Sequence, residues 1–256
     1  MTGVVEVKET KNDTQWDRLC GIHCATWNGV RSWYNADGTL ERSVVAERIL
    51  SKVSDTRVSQ VNNYFEEGEI VDHEEWFLER SEDDNTYFPP KPSMRSYFAK
   101  DGSAFWGRHY TPGEPFKFEV FFMRGDHRMS IMPRWKANGE LEGFMHVREV
   151  RGNAPVSLWS KEVNTTLPDL FPQLPKGKAV LATVKGDERE VEASFAVGFY
   201  RALLNFPDGL VLDVPSQLPR GSFDALVQWR CGGMAPENVI VRFPGVNQLP
   251  EFIRFE

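Results

Sequence analysis

The sequence is poor in cysteine: among 256 residues there are 3, Cys20, Cys24 and Cys231. An odd and sparse set does not form the disulfide framework of a small secreted protein, so we expect a cytoplasmic protein with buried, free thiols. Cys20 and Cys24 stand four residues apart with His23 beside them, which places possible metal ligands on one helix face. No second His/Cys pair matches them elsewhere in the sequence, and we therefore expect no metal site.

Long hydrophobic runs are also missing. No stretch approaches the roughly 18 uninterrupted apolar residues of a membrane span. The polar start of the chain, MTGVVEVKETKNDT, does not resemble a signal peptide. The formal net charge of −7 argues against nucleic acid as a partner, because phosphate backbones select basic surfaces. The composition does not indicate the oligomeric state.

The motifs of common enzyme classes are absent. The sequence has no nucleophile elbow, phosphate-binding loop or His-Glu-x-x-His zinc motif. Any acid–base chemistry would therefore depend on single side chains, and we expect no cofactor. The candidates for proton transfer are His109, His127, His146, Glu119 and Glu149.

Turn sequences divide the chain into short segments of alternating polarity. The clearest region is 116–151, where Arg124-Gly125-Asp126 and Ala137-Asn138-Gly139 separate three predicted strands. Roughly eight strand-like segments precede residue 152 and about six shorter ones follow it. Strict alternation does not decide whether Phe144, His146 and their neighbours face water or a lumen, because one bulge reverses the faces.

Two other segments have distinct predictions. Thr14–Ala25 is the helix candidate, with Thr14 as N-cap and an apolar stripe that starts at Trp16. Asn85–Pro92 is predicted to be a loop, because its three prolines cannot donate to a central β ladder.

Short motifs spread over both halves of the chain resemble a known family. They comprise Trp16, Leu19, Thr26, Trp27, Gly29, Asp37, Gly38, Phe98, Asp101, Gly102, Glu119, Phe122, Arg128, Gly139, Leu141, Arg148, Glu149, Phe206-Pro207-Asp208-Gly209, Pro215, Gly221, Phe223, Trp229, Arg242 and Phe243. This pattern resembles an uncharacterised lipocalin-like family of photosynthetic organisms, in which two calycin-type β-barrels share one chain. The family has no settled activity.

The resemblance implies an all-β fold: two lipocalin-like (calycin) antiparallel β-barrels in tandem with a short N-terminal helix. The predicted units are 1–151 for the first barrel and 152–256 for a smaller second barrel. It further implies that Trp27 packs against an arginine of the last strand of the first barrel, either Arg148 or Arg151, and closes one end.

The leading functional hypothesis is a binding protein for a small hydrophobic molecule such as a pigment, an isoprenoid or a fatty-acid-like compound. Aromatic residues make up 12% of the chain, and such rings can line a cavity as well as fill a core. The predicted ligand contacts are Trp33, Trp76, Trp106, Phe118, Arg128, Trp135 and His146.

Two alternatives are kept. The first is a cofactor-independent isomerase or cyclase, in which a histidine or carboxylate moves a proton on an apolar substrate inside the barrel. The second is a scaffold or assembly factor without a small ligand.

Overall fold

A computed structural model describes residues 14–82, 86–88, 91–152, 159–166, 174–195, 201–230 and 235–255. The fold is all-β, with two antiparallel units in tandem, one a closed barrel and the other of half-barrel form, and one short helix near the N-terminus, so the predicted fold class is confirmed. Residues 153–158, which follow the predicted boundary, and Cys231 lie outside the described residues. The division into units at residue 151 stays a prediction.

The first unit is a closed barrel, in which each strand pairs antiparallel with its neighbour in sequence and the first strand pairs with the tenth. Its strands are β1 (Thr26–Asn35), β2 (Leu40–Ser54), β3 (Arg57–Glu66), β4 (Glu69–Arg80), β5 (Thr86–Phe88), β6 (Lys91–Phe98), β7 (Ala104–Gly107), β8 (Phe116–Arg124), β9 (His127–Trp135) and β10 (Leu141–Arg151). The pairing is that of an up-and-down barrel, which leaves no exposed sheet edge.

The three strands predicted within 116–151 are confirmed as β8, β9 and β10, joined by the two predicted turns. The predicted loop at Asn85–Pro92 is wrong in part, because β5 and the start of β6 lie within it. The register between β5 and β6 shifts at Thr86–Phe88, and such an irregularity lets a proline-rich segment join a barrel.

The helical segment is shorter than predicted. Thr14 caps α1 (Gln15–Arg18) in a capping box with Asp17, which confirms the predicted N-cap. A π-helical turn (Leu19–His23) follows and ends where Cys24 N–H donates to the carbonyl of Leu19 at 3.1 Å. No helix in the described ranges is long and apolar enough to span a membrane.

The helical segment closes one end of the barrel with an apolar cluster, which we call the floor. The floor comprises Trp16, Leu19, Trp27, Leu50, Val58, Leu78, Phe98, Ala104, Trp106 and Phe121. The thiols of Cys20 and Cys24 pack at its edge and are unpaired by a disulfide as predicted, but they are half-buried rather than buried.

The predicted packing of Trp27 is confirmed for Arg151. The guanidinium carbon of Arg151 lies 5.0 Å from the centre of the indole, and that of Arg128 lies 4.1 Å from it. Arg148 instead points out of the barrel. Gly29 permits the seam between β1 and β10, because a Cβ at that position would lie 1.9 Å from the carbonyl oxygen of Arg148.

The second unit is a seven-stranded sheet of half-barrel form, with the strand order β12-β11-β17-β16-β15-β14-β13. Its strands are β11 (Lys176–Thr183), β12 (Glu188–Ser194), β13 (Arg201–Phe206), β14 (Leu210–Pro215), β15 (Phe223–Trp229), β16 (Glu237–Phe243) and β17 (Glu251–Phe255), with a 3-10 turn (Pro207–Gly209) between β13 and β14. We call this unit the second sheet.

The outer face of β8–β10 packs against one face of the second sheet in a single large core. Phe116 lies 5.0 Å from Phe243 between ring centres, and Phe144 lies 5.3 Å from Phe206. Arg148 forms an ion pair with Asp208 at 2.7 Å across the same boundary. The second sheet therefore covers one side of the barrel and leaves the lumen to the residues that alternate with this face.

Candidate functional site

A cavity of about 540 Å³ lies in the barrel lumen above the floor. Its volume falls within the roughly 300–1,000 Å³ of small-molecule pockets. Exposed charged side chains surround its mouth, namely Arg42, Glu66, Asp72 and Lys117. Large aromatic and thioether side chains line its walls, namely Trp33, Trp76, Trp106, Met94, Met132 and Met145.

Between the cavity and the floor, five buried charged side chains form what we call the charge layer: Arg31, Arg48, Arg128, Glu119 and Glu149. Glu149 accepts a hydrogen bond from Arg128 Nε at 2.7 Å and lies 3.3 Å from Arg48 Nε. Glu119 accepts from the hydroxyl of Ser130 at 2.7 Å. Burial alone would raise the pKa of Glu149, but Arg128 and Arg48 hold that pKa below its ordinary value.

A chain of polar groups connects the charge layer with the mouth of the cavity. Arg31 Nη1 donates to the hydroxyl of Tyr64, and that hydroxyl donates to Glu74 Oε2 at 2.6 Å. The same carboxylate oxygen lies 3.9 Å from Arg31 Nη1, and the Glu74 side chain is 45% exposed. Burial and the neighbouring charge of Arg48 lower the pKa of Arg31.

Two guanidinium groups of the charge layer line the cavity with N–H donors left over. Arg31 Nε and Arg48 Nη1 are buried and have no hydrogen-bond partner in the described part of the chain. The two residues are only 7% and 3% exposed. An unsatisfied buried donor costs about 1–3 kcal/mol, more for a charged group, so these donors are high in energy unless an acceptor reaches them.

The structure brings four of the seven predicted ligand contacts to this cavity: Trp33, Trp76, Trp106 and Phe118. The three tryptophans belong to its wall. Phe118 borders it, but its ring stacks on Trp135 at 5.9 Å between centres and lies 5.3 Å from Phe243, on the outer face of the barrel.

The other three predicted contacts lie elsewhere. Arg128 belongs to the charge layer beneath the cavity. Trp135 is on the outer face of β9 and donates through Nε1 to the carbonyl of Pro215 at 2.9 Å. His146 is fully buried on the outer face of β10, 5.6 Å from the ring of Phe206. Because the second sheet covers the outer face of β10, His146 is neither exposed to water nor part of the lumen.

Among the candidates for proton transfer, Glu119 lines the cavity and Glu149 lies in the charge layer beneath it. His146 packs between the two units, where burial and Arg148 lower its pKa well below the ordinary histidine value. The ring of His127 lies 5.4 Å from that of Trp159, and His109 follows β7 in a half-buried loop.

Arg31 and Arg48 were missed by reasoning from sequence. Arg31 shares one face of β1 with Trp27, Gly29 and Trp33, so its place on the lumen face can be read from the alternation of the strand. Arg48 is a charged residue at a buried position of β2, between Ala46 and Leu50, and its role depends on its pairing opposite Trp27, which only the register shows.

Comparison with known proteins supports the fold and leaves the activity open. Comparison with curated proteins gives no match. A solved structure of a protein of unknown function from the DUF3598 family of Nostoc punctiforme is similar at a TM-score of 0.69 and 15% identity, over 94% of this chain and 98% of that chain. An S-type phycobiliprotein lyase, CPES from Guillardia theta, aligns at a TM-score of 0.40 and 14% identity, over 55% of this chain and 92% of that chain, which is too weak a likeness for a conclusion.

The family assignment comes from the first unit. Residues 12–154 match the family described as "Domain of unknown function (DUF3598), N-terminal". This match covers the barrel, the floor and every residue of the charge layer. It spans more than half of the sequence, and the chain therefore belongs to the DUF3598 family.

Proposed function

We propose that this protein binds a small, largely apolar molecule, such as a pigment, an isoprenoid or a fatty-acid-like compound, in the lumen of the barrel. The observation that carries the proposal is the cavity of about 540 Å³, walled by three tryptophans and three methionines. Aromatic rings offer flat apolar surfaces, and methionine side chains adapt to irregular shapes.

The barrel supports this role because much of its apolar packing lies outside the cavity. The floor closes one end with packed apolar side chains, and the second sheet covers the outer face of β8–β10. A rigid, preformed pocket lowers the entropic cost of binding.

Filling the cavity tests the proposal. Val44 lines the cavity and is 9% exposed, whereas the next residue, Val45, is 45% exposed on the opposite face of β2. We expect Val44→Trp to abolish binding of 1-dodecanol in isothermal titration calorimetry, because the new indole occupies the lumen. Val45→Trp makes the same chemical change outside and is the matched control. Failure of the wild-type protein to bind, or equal binding by both variants, would overturn the proposal.

A second candidate function is that of a cofactor-independent isomerase or cyclase. It is favoured by Glu119, a buried carboxylate that lines the cavity and whose partner is the hydroxyl of Ser130 rather than an arginine. A carboxylate so placed can move a proton on a bound substrate.

The two functions differ in what is released after denaturation. Isomerisation or cyclisation preserves mass. If the protein is an enzyme, the wild type releases product and Glu119→Gln releases unconverted substrate, and the two molecules have equal mass and different chromatographic retention. A carrier predicts the same molecule from both proteins. Liquid chromatography with mass spectrometry measures the difference.

A further inference from the structure

The charge layer has an excess of positive charge. Its three guanidinium groups face two carboxylates, and Glu149 is shared between Arg128 and Arg48. Glu119 accepts from Ser130. Taking a charge out of water without compensation is costly, so a buried layer of this composition favours the entry of one further negative charge.

The nearest acid outside the layer compensates this excess poorly. Glu74 approaches Arg31 Nη1 only to 3.9 Å, and its Oε2 already accepts from Tyr64 at 2.6 Å. Its side chain is 45% exposed, and an ion pair in contact with water is weak. The hydroxyl of Tyr64 therefore holds Arg31 in position, but the positive charge of Arg31 is not balanced by Glu74.

The leftover donors belong to guanidinium groups beside the cavity. Arg31 Nε and Arg48 Nη1 both belong to side chains that line the cavity. Guanidinium donors form short, strong hydrogen bonds with carboxylate oxygens, and they are stronger still where water is excluded.

We infer that the cavity recognises a molecule with a single carboxylate, which binds Arg31 and Arg48 while its apolar body lies against Trp33 and Trp76. This inference rests on the proposed function and narrows it from an apolar ligand to an amphipathic monocarboxylic acid. One carboxylate matches the excess of one charge. A phosphate monoester, with about two negative charges at neutral pH, would exceed it.

Dodecanoate and 1-dodecanol form a matched pair of probes, because they share the alkyl chain and differ in the charged head. We expect the wild-type protein to bind dodecanoate at least about tenfold more tightly than dodecanol in isothermal titration calorimetry, since hydrogen bonds to charged groups exceed those between neutral groups. Arg31→Gln should remove most of this preference. Urea denaturation of the variant shows whether it is folded.

Arg42→Gln is the matched control. Arg42 also borders the cavity, but it is exposed at the mouth and stacks on Trp33 at 4.0 Å. We expect this variant to keep the preference for the acid. If Arg31→Gln does not fold, Arg31→Lys keeps the charge, lacks the Nε donor and should retain only part of the preference.

The outcomes separate the two proposals. Equal binding of acid and alcohol by the wild-type protein would overturn the carboxylate site and leave the cavity as a binding site. An acid preference that survives Arg31→Gln, or that Arg42→Gln removes to the same extent, would also overturn it. Binding of neither compound would overturn the proposed function as well.

Discussion

The two β units bury their inward-facing side chains in different ways. The barrel encloses a charge layer and an open cavity. The face of the second sheet that is turned away from the barrel is instead filled by a small apolar cluster: Ala179, Leu181, Phe195, Leu226, Ile240 and Ile253. One unit thus keeps open space beside its buried charges, whereas the other fills its space with apolar side chains.

The same difference appears in their buried arginines. In the second sheet, Arg201 pairs with the side chain of Asp213 and also donates to the backbone carbonyls of Asp213 and Asp224 at 2.8 and 2.9 Å. In the barrel, Arg31 and Arg48 line the cavity, and each retains a buried donor without a hydrogen-bond partner among the described residues. Satisfied charges are typical of a structural role, whereas the leftover donors beside the cavity support the proposed binding site.

The largest effect is expected from breaking the charge layer. Glu149→Gln removes the carboxylate shared by Arg128 and Arg48 and leaves buried positive charge without compensation. We expect a loss of about 3–5 kcal/mol in the free energy of unfolding, measured by urea denaturation. Asp55→Asn, which breaks an exposed pair with Lys52, is the control and should leave the midpoint unchanged. A similar small effect for both would show that the layer is not structural.

Removing apolar volume from the second sheet should lower stability and spare binding. Ile240→Ala deletes a fully buried side chain and should cost about 2–5 kcal/mol in urea denaturation. Ile70→Ala, at a residue 56% exposed, is the control with little effect. We expect both variants to bind 1-dodecanol with wild-type affinity. A selective loss of binding in Ile240→Ala would contradict the division between the two units.

A smaller effect is the dependence of stability on pH that two buried histidines cause. Burial lowers the pKa of His146 and of His23 well below 6.5, so both are neutral in the folded state. The unfolded chain takes up protons below pH 6.5 while the folded chain does not. Stability is therefore full above pH 6.5 and falls as the pH drops below it, by up to about 1.4 kcal/mol per pH unit for each histidine.

His146→Leu should reduce this dependence by about half, since His23 remains. Urea denaturation between pH 8 and pH 5 measures the slope, and the values at pH 8 serve as the internal control. An unchanged slope in His146→Leu would mean that His146 is protonated in the folded protein.

Much of the fold could be predicted because its signals are local. The turns at Arg124-Gly125-Asp126 and Ala137-Asn138-Gly139, and the cap at Thr14, each depend on a few adjacent residues. The pairing of Trp27 with Arg151 followed from a family resemblance and is present.

The rest of the site depended on contacts between distant segments. Alternation groups Phe144 with His146 correctly, but the sequence does not show that the second sheet covers their face. Trp135 was wrongly predicted to contact the ligand because the sequence does not show that the second sheet covers its face as well. Arg48 meets Glu149 only through the registers of β2 with β1 and of β1 with β10.

The seam between β1 and β10 has a consequence for the time course of folding. It joins the first and last strands of the barrel. The side-chain amide of Asn28 donates a hydrogen bond to the carbonyl of Gly152, 124 residues away in sequence. During synthesis, β1 is the first strand to emerge. The barrel cannot close until β10 has left the ribosome and can pair with β1. Such long-range pairing slows folding and leaves strand edges exposed meanwhile. We infer that the nascent barrel is most prone to aggregate before its last strand is complete.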